Sequence, residues 1–199
     1  MKNFDYSFSA YHKNASLGIS EALNKFNSDV KTPIIICIGS DLVLGDSLGP
    51  LVGTMLKKRN ISSYIYGTLN YPITAKEIEY AKTHLKTMHP NTVAIAIDAA
   101  VGLKEDIGLI KVVNEGLKPG IGVNKNLGQI GDIGIIGVVS AKTGKNFDLF
   151  NLTRLNLVYK MAEQIADGIA NYINTCIEPD FKSATLLQGS MAQSKLYGA

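Results

Sequence analysis

The segment IIICIGSDLVLGDSLGP, residues 34–50, indicates the fold class. It opens with an isoleucine-rich apolar run, so residues 33–39 are predicted to form a strand that helices cover on both faces. A glycine-punctuated loop follows and carries Asp46. Pro50 suits the first turn of a helix, because the N–H that proline lacks would have no partner there. The segment therefore predicts a buried strand, a loop with one carboxylate, and a helix that ends near Asn60.

Strands and helices alternate on either side of this segment. Apolar spacing predicts helices over residues 14–26 and 147–177, and Thr74 with Glu77 forms a capping-box pattern for a helix that ends before Pro90. Strands are predicted at residues 64–67, 92–98, 108–114 and 131–141. Parallel neighbours need a crossover connection, which the alternation in the first half provides. The sequence thus predicts an α/β fold with three α/β/α layers and a mainly parallel sheet.

The length and composition favour one folding unit. The chain has 199 residues, of which 46% are hydrophobic, and this is enough for one well-buried core. A single domain over residues 1–199 is predicted, with its core at about residues 33–177. Residues 1–32 contribute an N-terminal helix, and residues 178–199 form a tail or a packed extension.

Charge and cysteine usage exclude several classes of protein. The net charge of +3 arises from 20 basic and 17 acidic residues that are scattered along the chain, so neither nucleic-acid nor membrane binding is indicated. No apolar run approaches the roughly 18 to 20 residues that span a bilayer. Cys37 and Cys176 lack metal-ligand spacing and are expected to be buried thiols. A soluble, cytoplasmic protein without cofactor or metal is predicted.

Two aspartates follow buried strands. Asp46 comes after the first strand of the segment above, and Asp98 is expected to end the strand VAIAID, residues 93–98. In a 2-1-3 strand order, ligands bind beyond the carboxyl ends of the strands, in the gap between the first and third. Adjacent strands lie about 4.8 Å apart, so Asp46 and Asp98 are predicted to meet at one edge of the sheet.

A pair of partly desolvated carboxyl groups suits peptide hydrolysis. Both cannot ionise cheaply, so one keeps a proton and acts as an acid while the other acts as a base on water. Asp46 and Asp98 are therefore the predicted catalytic residues. Each also has an architectural alternative: Asp46 as a cap of the following helix, and Asp98 as a turn residue that closes its strand.

Other site chemistries have less support in the sequence. The histidines are His12, His84 and His89, and their positions favour solvated or capping roles over a catalytic triad or dyad. The glycines of residues 39–49 fit neither dinucleotide nor P-loop spacing, and Asp46 would repel phosphate. Glycines at positions 128, 131, 134 and 137 are attributed to backbone crowding, a bulge or a tight turn rather than to a ligand cradle.

Four segments, in this order, resemble those of the spore germination protease family. They are GSDLVLGDSLGP at residues 39–50, AIDAAVG at 96–102, KPGIGVNKNLG at 118–128 and IGDIGIIGVVSA at 130–141. The sequence is most similar to a smaller sporulation relative of that family, the YyaC-type proteins. It resembles the hydrogenase maturation endopeptidases more distantly. The resemblance covers roughly residues 33–175.

The resemblance implies an aspartate-dependent endopeptidase of a sporulating bacterium. Asp46 begins the family pattern of an aspartate, a small residue and Leu-Gly-Pro, and Asp98 matches the second catalytic aspartate. The expected partner is a protein or peptide substrate, such as the small acid-soluble spore proteins that the relatives cleave. A location in the forespore or spore interior is implied, and assembly as a homo-oligomer is expected because the relatives form oligomers.

The hydrogenase maturation endopeptidases, by contrast, recognise nickel. Ser47 occupies the position where those proteins often have an acidic residue, and no histidine follows His89, so nickel recognition is disfavoured. Two other functions remain open. One is a non-catalytic binding or assembly protein of sporulation on the same fold. The other is a metal-dependent peptidase in which Asp46 and Asp98 bind a cation through oxygen ligands.

Overall fold

The structure is a computed structural model that describes residues 6–29, 31–119, 128–141 and 153–177. Six strands and four helices occur within these ranges. In chain order they are β1 (Tyr6–Ser9), α1 (Ala15–Phe26), β2 (Ile34–Cys37), α2 (Leu48–Lys58), β3 (Ile65–Tyr66), α3 (Ile78–Met88), β4 (Ala94–Gly102), β5 (Leu109–Val113), β6 (Ile133–Ala141) and α4 (Leu155–Tyr172). A short 3₁₀ turn, Leu44–Ser47, leads into α2, and a π-helical turn, Ile173–Ile177, follows α4.

The six strands form one mixed sheet with the order β1-β5-β6-β4-β2-β3. Strands β3, β2, β4 and β6 run parallel to one another, whereas β5 is antiparallel to both β6 and β1. The predicted 2-1-3 order is confirmed, because β2 lies between β3 and β4. The mainly parallel α/β sheet is confirmed as well.

Helices cover both faces of the sheet, which gives the three predicted layers. One face packs against α1, α2 and α4 and contains the larger core, with Leu23, Leu56 and Ile165 fully buried. The other face packs against α3 through Ile78, Ala81 and Leu85. Because β2 is enclosed between these layers, all four of its residues are buried. No helix in the described part of the chain is long and apolar enough to cross a membrane.

Most element predictions agree with the structure, and two do not. Asp98 was expected to end its strand, but β4 continues to Gly102 because its last residues pair with β6. The sequence also did not predict β1, a four-residue edge strand whose alternating Tyr6 and Phe8 pack against the larger core. The start of the predicted helix at 147–177, the tail at 178–199 and most of the glycine-rich segment at 118–128 fall outside the described residues.

The periodic glycines behave as architectural positions. A Cβ on Gly137 would overlap the side chain of Leu48, the first residue of α2, and a Cβ on Gly134 would overlap Leu117. Gly131 has a φ of +80°, which residues other than glycine rarely adopt. The prediction of crowding and tight turning is therefore confirmed for these three glycines.

Candidate functional site

The loop after β2 folds back on itself and returns Asp46 to the end of that strand. Gly39 has a φ of +139° and donates its N–H to the carbonyl of Ile73 at 2.9 Å. Ser40 then donates its N–H to the backbone carbonyl of Asp46 at 3.1 Å. A Cβ on Gly39 would overlap that same carbonyl, so only glycine allows this close return. Asp46 is thereby fixed beside the carboxyl end of β2, two residues before α2 begins.

Asp98 lies within β4, directly beside the end of β2. The ladder pairs Cys37 with Ile97, and the Ile38 N–H extends it by donating to the Ile97 carbonyl at 2.8 Å. Alternation along β4 sends Ile97 into the larger core and turns Asp98 to the face that carries α3. The Asp98 Oδ1 accepts a hydrogen bond from the Ala99 N–H at 2.8 Å. Asp98 is therefore a sheet-face residue and not a turn residue at a strand end.

The two carboxyl groups interact electrostatically. Burial raises the pKa of Asp98 well above its ordinary value, and the negative charge of Asp46 raises it further, against the opposing effect of the Ala99 N–H. Burial also raises the pKa of Asp46, which the nearby Ser40 N–H partly offsets. Both residues are partly rather than fully buried in accessible surface. The structure thus brings together the two residues that the sequence singled out.

The raised pKa of Asp98 predicts how stability depends on pH. A carboxyl group with a higher pKa in the folded than in the unfolded chain holds its proton longer in the folded state. Its contribution to stability is greatest below the unfolded value, near pH 3.9, and is lost as the pH rises through the folded pKa. We therefore expect Asp98→Asn to be more stable than the wild type at pH 7 by about 0.5–2 kcal/mol.

Urea unfolding at pH 4, 5.5 and 7 measures this difference directly. The stability advantage of Asp98→Asn is expected to shrink as the pH falls toward 4, because the wild-type carboxyl then carries its proton in both states. A variant that is less stable at pH 7, or an advantage that grows on acidification, would contradict the raised pKa.

Lys111, on the same face of the sheet as Asp98, forms a second charged pair with Asp106, which was not predicted from the sequence. Lys111 on β5 and Asp98 on β4 are both paired in register with Ile136 on the intervening β6. Lys111 is only 7% exposed, and its Nζ lies 2.8 Å from an Asp106 carboxylate oxygen. A buried lysine in a strand needs such a partner, because an unpaired ammonium is costly to desolvate. The signal in the sequence was a lone lysine within the apolar run LIKVV.

Replacing Lys111 is expected to destabilise the fold. Lys111→Met keeps the aliphatic stem but leaves the Asp106 carboxylate without its ammonium, at a cost of about 1–3 kcal/mol. This loss of stability is measured by thermal and urea unfolding of Lys111→Met and of the double variant Lys111→Met/Asp106→Leu. The double variant should recover part of the loss, because it removes the remaining charge. A single variant as stable as the wild type would show that the pair contributes nothing.

The other residues considered from the sequence have contacts of their own that do not involve the aspartates. His89 contacts the hydroxyl of Tyr66 through Nε2 at 2.6 Å, and His84 stacks on Tyr80. Cys37 is buried in β2, which raises its thiol pKa. Within the described residues, no group of three or more His, Cys, Asp or Glu side chains is arranged to hold a metal ion. The side chain of Cys176 falls outside the described part of the chain.

Comparison with known proteins places the chain in a family. The family described as "Protein of unknown function (DUF1256)" matches residues 7–168, a range that contains both Asp46 and Asp98. The chain is also 38% identical over 141 residues to "Uncharacterized protein YyaC" of Bacillus subtilis (strain 168). That alignment covers 70% of this chain and 69% of the relative. The predicted YyaC-type membership is thereby confirmed: the chain belongs to the DUF1256 family.

Proposed function

We propose that this protein is an endopeptidase in which Asp46 and Asp98 activate water for the hydrolysis of a peptide bond. The observation that carries the proposal is the interaction of two partly buried carboxyl groups from separate elements, in which the charge of Asp46 raises the pKa of Asp98. Two coupled carboxyls hold a proton between them at a pH where isolated carboxyls would both be ionised. Such a pair supplies an acid and a base at one point.

The two aspartates differ in their proposed roles. Asp98 has the more strongly raised pKa, so it holds the proton and donates it to the oxygen of the scissile carbonyl. Asp46 is the carboxylate that removes a proton from water as the water oxygen bonds to the carbonyl carbon. When the tetrahedral intermediate collapses, Asp46 gives its proton to the leaving nitrogen and Asp98 takes back the proton from the hydroxyl oxygen. The C–N bond breaks, and both groups return to their starting states.

The biological setting is part of the same proposal. The order of the four motifs resembles the germination protease family, which supports a role in sporulation and a location in the forespore or spore interior. The corresponding substrates are small acid-soluble spore proteins. The 38% sequence identity to YyaC, over 70% of this chain, supports a function shared by the two proteins.

Cleavage of spore proteins by the purified full-length chain tests the proposal. The wild type, Asp46→Asn and Asp98→Asn are each incubated with an acid-soluble spore extract and with a peptide library, and products are identified by mass spectrometry. The proposal predicts cleavage by the wild type alone, with activity unchanged by a chelator. Cleavage that a chelator abolishes and a divalent ion restores would instead support the metal-dependent peptidase. Binding of spore proteins without cleavage by the wild type would support the non-catalytic protein.

A further inference from the structure

Two adjoining cavities lie along α2. The first, of about 250 Å³, is lined by Thr54, Lys57, Lys58, Thr68 and Asn70. The second, of about 270 Å³, shares Thr54 and Lys58 with the first and is lined in addition by Leu51, Met55, Arg59, Leu69, Tyr159 and Glu163. Neither cavity is lined by Asp46 or Asp98. We call the two together the α2 groove, and the proposed catalytic mechanism leaves it without a role.

The first cavity of the α2 groove is lined by polar side chains, and the second adds apolar side chains together with Arg59 and with Glu163, whose carboxylate is paired with Lys160 at 2.9 Å. Lys57 and Lys58 are exposed, and within the described residues neither ammonium group forms an ion pair or hydrogen bond, whereas the Arg59 guanidinium is paired with Asp167 at 2.6 Å. In the second cavity, Leu51, Met55 and Leu69 are partly buried, and Tyr159 is 45% exposed. Two available ammonium groups beside hydroxyl and amide side chains suit a carboxylate, and the apolar side chains of the second cavity suit a neighbouring hydrophobic side chain.

One wall of the α2 groove is connected by hydrogen bonds to the loop that carries Asp46. The Leu69 N–H donates to the Thr54 hydroxyl at 3.0 Å, which attaches the segment after β3 to α2. The same segment continues to Ile73, whose carbonyl accepts the Gly39 N–H at the start of the loop that carries Asp46. A helix rises about 1.5 Å per residue, so Lys57 and Lys58 lie about 14–15 Å along α2 from its first residue, Leu48. About four or five residues of extended chain span that length.

We propose that the α2 groove is a substrate-binding surface that holds an acidic peptide segment, its carboxylates on Lys57 and Lys58 and an apolar side chain against Tyr159 and Leu51. This inference rests on the proposed peptidase function, because it names the kind of substrate segment that is delivered to Asp46 and Asp98. A purely structural role for the lysines also exists, since cations at the end of a helix stabilise its dipole. That role predicts a small loss of stability in their absence but no change in peptide affinity.

Fluorescence anisotropy measures the proposed binding without depending on catalysis. The full-length Asp98→Asn protein is titrated into a fluorescein-labelled eight-residue peptide with two adjacent glutamates and a leucine two residues before them. We expect the affinity to fall about tenfold when Lys57→Gln and Lys58→Gln are added to the Asp98→Asn protein. We expect a similar fall when both glutamates of the peptide are replaced by glutamines. The matched control, Lys13→Gln/Lys86→Gln, removes the same charge elsewhere on the surface and should change the affinity less than twofold. Tyr159→Ala should weaken the leucine peptide but not its alanine counterpart.

Several outcomes would overturn the proposal. They are an absence of binding, equal weakening by the two pairs of lysine substitutions, or equal binding of the glutamine peptide. Displacement of the peptide by a single-stranded oligonucleotide at lower concentration would show that the surface prefers phosphate. Self-association of the protein that Tyr159→Ala abolishes would show that a second copy occupies the groove. Because binding is measured in a variant without Asp98, failure of the groove and failure of the catalytic pair give separate results.

Discussion

Asp98→Asn should lower kcat/KM for peptide hydrolysis by about 100- to 10,000-fold while the protein stays folded. An amide at this position cannot donate a proton to the scissile carbonyl and recover it within the cycle. Asp46→Asn should have a loss of similar size, because no carboxylate then takes the proton from water. Since the two groups act as one unit, the double variant should be little worse than either single variant.

Steady-state kinetics on the cleaved peptide, with unfolding curves for each variant, measure this effect. Asp41→Asn is the matched control, because Asp41 is an exposed aspartate in the same loop as Asp46, and its activity should stay within about twofold of wild type. An Asp98→Asn protein that retains more than a tenth of the wild-type kcat/KM would remove Asp98 from the mechanism. Loss of activity together with loss of folding would also fail the prediction, since this variant is expected to be more stable at neutral pH.

Gly49→Ala should damage both the fold and the site, although glycine-to-alanine changes within helices usually stabilise. Gly49 lies in the first turn of α2, and a Cβ there would overlap the carbonyl oxygen of Ile38, which is backbone and cannot rotate away. Alanine must therefore push α2 off the end of β2, at a cost of about 1–3 kcal/mol. Because Asp46 lies two residues before α2, we expect kcat to fall about 100-fold, as a displacement of about 1 Å can cause.

The matched control for this prediction is Gly18→Ala in α1. The three heavy atoms nearest to a Cβ on Gly18 all belong to the ring of Phe8, a partly exposed side chain that can move, and α1 carries no proposed site residue. Its activity should stay within about twofold of wild type. Urea unfolding and peptide kinetics on both variants test the contrast. Wild-type stability and activity in Gly49→Ala would show that the contact between α2 and β2 does not position Asp46.

The elements that the sequence predicted well are those with strong local signals. Strand β2 is a continuous apolar run, β6 is an apolar run interrupted by glycine, and α2 combines a helical apolar spacing with Pro50 near its start. By contrast, β1 is only four residues long and is held mainly by pairing with β5, a contact between distant parts of the chain. Short strands of this kind depend on tertiary pairing, which a local pattern does not contain.

The candidate site was predicted in its residues but not in its full geometry. Asp98 marked the predicted end of its strand, since aspartate disfavours strands, yet pairing of Val101 and Gly102 with β6 extends β4 past it. The Asp98 side chain consequently projects from a face of the sheet rather than from the edge at which the strands end. The α2 groove was missed because it joins side chains whose proximity arises only when the helices and the segment after β3 assemble. The Lys111–Asp106 pair is local, since its members are five residues apart, and its signal was the lone lysine in the apolar run of β5.

The central claim is that Asp46 and Asp98 share one site and titrate as a coupled pair. Carbon NMR of protein labelled at the aspartate carboxyl carbon, recorded from pH 3 to 9 with Asp46→Asn and Asp98→Asn for resonance identification, measures it directly. The account predicts that Asp98 titrates well above the ordinary value of about 3.9 and that Asp46→Asn lowers the pKa of Asp98. An Asp98 that titrates near 3.9, or whose pKa is unchanged by Asp46→Asn, would contradict the account.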